Sequence, residues 1–219
     1  MERRPYLVNK AFRSFLLSTV MSTMAVSFGS MLGSIVVGNV LGSESLGAVN
    51  VMMPVIQLLA ATNALINIGG ATVMAVNTGR GREFEARGIF TKCMMMSLVV
   101  SLAIAILGVV FIDPIIDGLC STESLRPLAR EYGILVFATS PFYILMPGLG
   151  TFVRTDNDTR LATVAFATAN VVNVVLAYVL MAHTDMGLSG FAVSTMTGYI
   201  VGMAILALHF RKDNISIGF

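Results

Sequence analysis

The sequence predicts an all-α, polytopic membrane protein with six crossings and both termini on one side of the bilayer. Three observations carry that expectation. Six stretches, 14–43, 45–79, 93–112, 132–153, 161–184 and 186–210, contain no Asp, Glu, Lys or Arg, and together they take in 156 of the 219 residues. Charged residues make up 12% of the chain and hydrophobic ones 56%, whereas a globular domain carries about 25% charge. Third, Lys and Arg are distributed very unevenly among the loops. A helix needs about 20 mainly apolar residues to cross the hydrocarbon core, and the shortest of the six runs is 20 residues long. In lipid a backbone must satisfy its own polar groups, so each crossing is helical. The boundaries read as 14–40, 45–77, 89–112, 124–153, 159–182 and 187–210, in a single six-helix membrane lobe spanning 1–219.

The loops set the orientation. Arg3, Arg4, Lys10 and Arg13 precede the first crossing, Arg80, Arg82, Arg87 and Lys92 follow the second, Arg154 and Arg160 follow the fourth, and Arg211 and Lys212 follow the sixth. That places twelve of the fourteen basic residues on one side, with Arg126 and Arg130 alone on the other. The positive-inside rule then puts both termini in the cytoplasm of a cell whose plasma (inner) membrane holds the chain. The apolar run after the basic start is longer than a signal h-region and shows no early small-residue cleavage site, so the first crossing is expected to remain.

Taken in order, the first crossing is rich in Ser, Thr and Gly, which lets neighbouring helices approach closely. Leu41-Gly42-Ser43-Glu44 forms a tight external turn in which Ser43 suits an N-cap. The second crossing is too long to stand straight and flush. Pro54 should kink it near its outer end, and Gly69-Gly70 either kinks it again or offers a close-contact patch. Gly79-Arg80-Gly81-Arg82 ends it. The third crossing, CMMMSLVVSLAIAILGVV, is the least polar and is expected to face lipid. Asp113-Pro114 stops it, and IIDGLC reads as a short interfacial piece. Ser121-Thr122-Glu123-Ser124 opens the fourth crossing, which Pro141 and Pro147 should break in mid-membrane. The fifth crossing follows the turn from Arg154 to Arg160, and the sixth, GLSGFAVSTMTGYIVG, is again rich in small residues. The chain closes on NISIGF, a run unable to fold alone.

Enzyme chemistry has little to work with. HExxH, GxSxG and CxxC are absent, and none of the twelve acidic residues lies within a charge-free run, which excludes an intramembrane aspartyl protease. His183 and His209 fall at opposite ends of the bundle and are not expected to share a metal or form a dyad. Cys93 and Cys120 sit at opposite ends of the third crossing, too far apart to bridge. GRGR at 79–82 fits a topology signal better than a phosphate or headgroup site.

What remains inside the runs is uncharged polarity. Asn50, Gln57, Asn63 and Asn67 lie on the second crossing, Asn170 and Asn173 on the fifth, and Thr195 and Thr197 on the sixth. Asn50, Gln57 and Asn67 share roughly one angular sector, and Asn170, Asn173 and Ala177 fall on one face. A single amide of this kind more often ties helices together, contributing on the order of 0.6–2 kcal/mol. Two such stripes beside small-residue helices and a twice-interrupted helix point instead to a cavity bounded by crossings 1, 2, 4, 5 and 6.

The segments GSIVVGNVLGSESLGAVNVMMPVIQLL, GLGTFVRTDNDTRLA, ANVVNVVLAYVLM and GLSGFAVST resemble the N-terminal six-helix lobe of multidrug and toxic-compound extrusion (MATE) transporters of the bacterial multidrug-export type. The resemblance covers nearly all of the chain and half of a family member. It implies an antiporter that exports small organic cations against Na⁺ or H⁺, with no other cofactor and no metal centre. It also implies membrane lipid as surroundings and a second six-helix lobe, a copy of this chain or a separate one, as partner. Asn173 matches the family's Asn on the fifth crossing, and Thr195 lies near its polar position on the sixth. Gly33 and Ala177 stand where the family pattern usually carries Asp, so this lobe is expected to couple weakly to cations. Asn170, Gln57 and Asn63 would add polar contacts along the solute pathway, and Pro141 the bending point. The alternative is a non-transporting half that acts as a membrane partner protein. A flippase for lipid-linked sugars would need a basic cavity, and no run contains Lys or Arg.

Overall fold

A computed structural model describes residues 3–120 and 122–211. Among them the chain forms nine α-helices, a π segment and two 3-10 turns, with no strand. Ser121, which the sequence places in the cluster opening the fourth crossing, lies outside the described residues, as do Lys212 and the NISIGF run. Five helical stretches are long and apolar enough to cross a membrane, and a pair bent by 46° supplies a sixth crossing.

The first helix, α1 (Arg3–Val51), is 49 residues long and changes direction at Gly42, with φ 86° and ψ 178°. Residues eight apart in a straight helix stand about 12 Å apart along its axis, yet a Cβ on Gly38 would lie 3.5 Å from the Leu46 side chain. The helix therefore doubles back, ending the first crossing and beginning the second. Glycine adopts this positive φ without a Cβ penalty. The hydroxyl that bonds across the turn belongs to Ser45, whose Oγ donates to the Leu41 carbonyl at 3.3 Å. Ser43, the N-cap suggested by the sequence, is exposed.

The second crossing is interrupted at Met52 and resumes as α2 (Met53–Asn63), with Pro54 in the first turn, where its missing N–H would have had no helical partner anyway. A π segment, Ala64–Ile68, joins α2 to α3 (Gly69–Gly79). Gly69 keeps regular helical angles, φ −57° and ψ −50°. Of the two readings of the glycine pair, Gly70 fits the contact patch, because the Cys93 Sγ occupies the space its Cβ would need.

The third crossing, α4 (Glu83–Val110), corrects an expectation. Met95, Met96, Val99 and Ile106 do form an exposed apolar face. The opposite face carries Phe90, Ser97 and Ser101, all fully buried, and Gly108 yields its side-chain space to the Phe137 ring. Ser97 Oγ donates to Asn67 on the second crossing and the Ser101 carbonyl accepts from Ser140 on the fourth, so α4 is a packed element on one side. It leads into α5 (Ile112–Leu119), which buries Ile112 and Ile116. Asp113 and Asp117 pair at the surface with Arg130 at 2.6 Å and Arg126 at 3.1 Å. The hydrogen bond from Arg130 holds the Asp113 carboxyl below its ordinary range, though exposed pairs of this kind contribute little stability.

The fourth crossing consists of α6 (Arg126–Ala138) and α7 (Ser140–Thr155), bent at Thr139. Pro141 lies in the first turn of α7, so the chain bends just ahead of it, as the restricted geometry before a proline requires. Ser140 Oγ donates to the Ser101 carbonyl at 3.2 Å and anchors the bend to α4. Pro147, expected to break the helix again, lies inside an uninterrupted α7. Neighbouring helices tolerate the missing hydrogen bond of such a proline inside a membrane bundle.

The fifth and sixth crossings are α8 (Thr159–His183) and α9 (Gly187–Ala207), the latter running on into a 3-10 turn, Leu208–Arg211. They form the most extensive helix pair in the molecule. The turn into α8 depends on Asn157, at φ 67°, a conformation that asparagine tolerates better than most side chains. Asn157→Ala is expected to cost about 1–2 kcal/mol and Asn157→Gly close to nothing. Thermal unfolding in detergent checks this; equal melting points for the two variants would remove the strain account.

Candidate functional site

Between crossings 1, 2, 4, 5 and 6 lies a cavity of about 410 Å³, within the roughly 300–1,000 Å³ typical of small-molecule sites. Each wall follows from helical spacing. Gly29, Ser30 and Ser34 come from α1, Met53, Gln57, Ala60 and Asn63 from α2, and Tyr143 and Pro147 from α7. Phe166, Asn170 and Asn173 come from α8 at i, i+4 and i+7, and Phe191, Thr195 and Tyr199 from α9 at i, i+4 and i+8, spacings that share one helical face. A more open groove of about 620 Å³ runs along the C-terminal half of α1 between Met31 and Leu46 and holds none of the stripe residues of the later crossings.

Of the residues singled out in the sequence, Gln57, Asn63, Asn170, Asn173 and Thr195 line this cavity. Asn173 Nδ2 donates to Thr195 Oγ1 at 2.7 Å, and that hydroxyl donates to the Phe191 carbonyl at 2.9 Å. The chain of donors fixes the amide so that its oxygen is the acceptor offered to a guest. Asn170 Nδ2 is likewise committed to the Phe166 carbonyl at 2.8 Å. Its oxygen reaches into the space opened by Gly29, where even a Cβ would collide with it.

Other candidates are placed elsewhere. Asn67 is fully buried away from the cavity, accepting from Ser97 Oγ at 3.0 Å and donating to Asn63 Oδ1 at 3.0 Å. The π segment holding it shifts the register after Asn63, so the sector drawn through Asn50, Gln57 and Asn67 does not survive; Asn50 is exposed outside the cavity. Asn67 instead orients Asn63, leaving the Asn63 Nδ2 as its donor toward the cavity. Pro141 bends the fourth crossing without lining the cavity, and Thr197 donates to the Val193 carbonyl of its own helix at 2.8 Å. Gly33 packs under the Phe191 ring, 3.0 Å from where its Cβ would stand. Ala177 is fully buried in an apolar cluster with Met181, Leu188 and Ala192.

Sequence reasoning missed the aromatic lining: Tyr132, Tyr143, Phe166, Phe191 and Tyr199. The signal was present, since Phe166 precedes Asn170 by four residues and Phe191 and Tyr199 flank Thr195 by four. The rings are ordered, Tyr132 stacked on Phe191 at 6.1 Å and Tyr143 edge-on to Tyr199 at 5.1 Å. Arg154 lies behind the wall, its guanidinium 5.7 Å from the centre of the Phe166 ring.

A bundle of membrane-crossing helices around an uncharged, aromatic cavity of small-molecule size defines a multi-pass membrane protein. The MatE family model matches residues 19–179, and the chain belongs to that family. It is 23% identical over 202 residues to the probable multidrug resistance protein YoeA of Bacillus subtilis, a match covering 90% of this chain and 44% of the relative. To the multidrug export protein MepA of Staphylococcus haemolyticus it is 21% identical over 210 residues, covering 96% and 46%. An outward-facing multidrug resistance MATE family transporter of the MOP superfamily superposes with a TM-score of 0.88 at 22% identity, over 96% of this chain and 47% of that one. The chain thus spans about half the length of the relatives it matches, and its fold is that of one half of such a transporter.

Proposed function

We propose that this chain is the six-helix lobe of a multidrug-type exporter in a bacterial inner membrane, with both termini cytoplasmic, and that its cavity takes a small, flat organic cation. The observation that carries the reading is the cavity lining: five aromatic rings together with amide oxygens held as acceptors by their own hydrogen bonds. Ring faces attract a delocalised cation without a counter-charge, and the oxygens of Asn170 and Asn173 suit its N–H donors. Export on this reading requires a second six-helix lobe facing the first, in keeping with relatives roughly twice as long. Neither Gly33 nor Ala177 can bind Na⁺ or H⁺, so coupling through this lobe's interior is weak or absent.

The test is equilibrium binding of a fluorescent planar cation to the chain in lipid nanodiscs. Asn173→Ala and Tyr199→Ala are each expected to weaken binding about tenfold, the equivalent of about 1.4 kcal/mol. Failure of the unmodified chain to bind, or affinity in both variants unchanged from that of the unmodified chain, would sink the cavity assignment. Robust export driven by a pH gradient in vesicles containing this chain alone would refute the weak coupling.

A further inference from the structure

We infer that His209, Asp156 and Asp158 form a proton-binding site that clamps the end of the sixth crossing to the turn between the fourth and fifth. The inference is independent of what the cavity carries. His209 Nε2 lies 2.8 Å from Asp156 Oδ2, and its Nδ1 lies 2.9 Å from Asp158 Oδ2. These side chains are withdrawn from solvent, at 3%, 6% and 14% exposure in the order His209, Asp156, Asp158. Sequence reasoning set the two histidines at opposite ends of the bundle and gave His209 no partner. The partners are carboxylates 53 and 51 residues away.

The turn is built to present them. Asp156 N donates to the Phe152 carbonyl at 2.9 Å and Asp158 N to the Val153 carbonyl at 3.1 Å, while Asn157 at φ 67° reverses the chain between them. The ring is backed by Phe210, 6.0 Å away, which packs on Phe90, itself edge-on to Phe152. The cage therefore joins α4, α7, α8 and the end of the sixth crossing.

A neutral imidazole has one N–H and one lone pair, whereas both oxygens facing this ring belong to carboxyl groups. With both aspartates ionised, a neutral ring would point a lone pair at an anion within 3 Å. A ring protonated on both nitrogens donates to each, making two charge-assisted bonds. Taking up the proton and closing the clamp are thus one event. Among the described residues, the charged groups on the surrounding elements are Arg154 on α7, Arg160 on α8, Glu83, Glu85, Arg87 and Lys92 on α4, and Arg211 in the turn that carries the ring. The carboxyls grip opposite nitrogens, so the three side chains do not converge on a point where a metal ion would sit, in line with the lack of any metal-binding group among the described residues.

Loss of either ring proton would therefore open the clamp. The direct test is 15N NMR of histidine-labelled chain in nanodiscs, with His183→Gln so that His209 gives the single ring signal. Protons on both nitrogens at about pH 6 are expected, and a neutral single tautomer there would overturn the proposal. Thermal unfolding at the same pH gives a second readout. His209→Gln, whose amide offers a single donor nitrogen in place of two, should melt below the unmodified chain. Equal melting points in the two proteins would also overturn it. If His209→Gln fails to fold, the NMR measurement on the unaltered cluster decides.

Discussion

Gly198→Leu is expected to separate the fifth and sixth crossings and abolish the folded lobe. A Cβ at position 198 would stand 2.5 Å from the Ala169 carbonyl oxygen, 3.2 Å from Asn173 Cβ and 3.4 Å from Asn173 N. Two of those three atoms are backbone of the facing helix, which cannot rotate aside as a side chain can. Overpacking a well-filled contact costs about 1–3 kcal/mol, and Gly198→Ala should fall in that range. Leucine adds three further carbons against the same backbone, along the most extensive helix pair of the molecule. It also pulls Thr195 away from Asn173, so the cavity wall fails with the packing. Gly202 provides the control. A Cβ there meets the Met146 methyl at 2.5 Å and Ala169 Cβ at 3.2 Å, and methionine adapts. Unfolding of the three variants in detergent should rank them Gly198→Leu far below Gly198→Ala, with Gly202→Ala least affected. A Gly198→Ala variant no less stable than Gly202→Ala would show that this contact is not limiting.

The second large effect is expected at Ala177, a position where the family pattern implies a carboxylate. Ala177→Asp would bury an acid at a site with no exposure at all, among Met181, Leu188 and Ala192, in a run without a basic residue to pair with it. A carboxylate at the centre of a membrane helix costs about 2.5–3.5 kcal/mol even when the bilayer can deform around it, and enclosure by neighbouring helices removes that relief. The variant should be recovered in much lower folded yield than Ala177→Ser. Gly33→Asp should be milder, because the neighbour in its way is the rim of the Phe191 ring rather than backbone. Its consequence is local: Phe191 shifts off Tyr132 and one cavity wall changes shape. Restoring an acidic pair to this lobe thus requires repacking around position 177. An Ala177→Asp chain with unchanged folded yield and melting point would contradict the burial seen there.

Much of the site was legible before the fold. Asn170, Asn173 and Thr195 face one space because helical spacing on the fifth and sixth crossings puts them there, and regular helices preserve such spacing. The aromatic residues at the same spacing were equally legible, yet a search for polar groups passes over rings that resemble ordinary packing. The second crossing misled because spacing was counted through a π segment. Its wider turn sends Asn67 to Ser97 on α4 and leaves Asn63 at the cavity. Pro147 misled for a different reason. A proline costs a helix one hydrogen bond, and inside a packed bundle the neighbours absorb that loss.

The sequence by itself determined that the chain crosses a membrane as helices. It could do so because charge and backbone polarity are excluded from lipid residue by residue, a constraint local enough to read along one line. Only the tertiary structure decided which amides meet in the cavity, that Gly198 must be glycine, and that His209 sits between Asp156 and Asp158. Those outcomes depend on helix rotation and on contacts between residues far apart in sequence, set by packing many side chains at once.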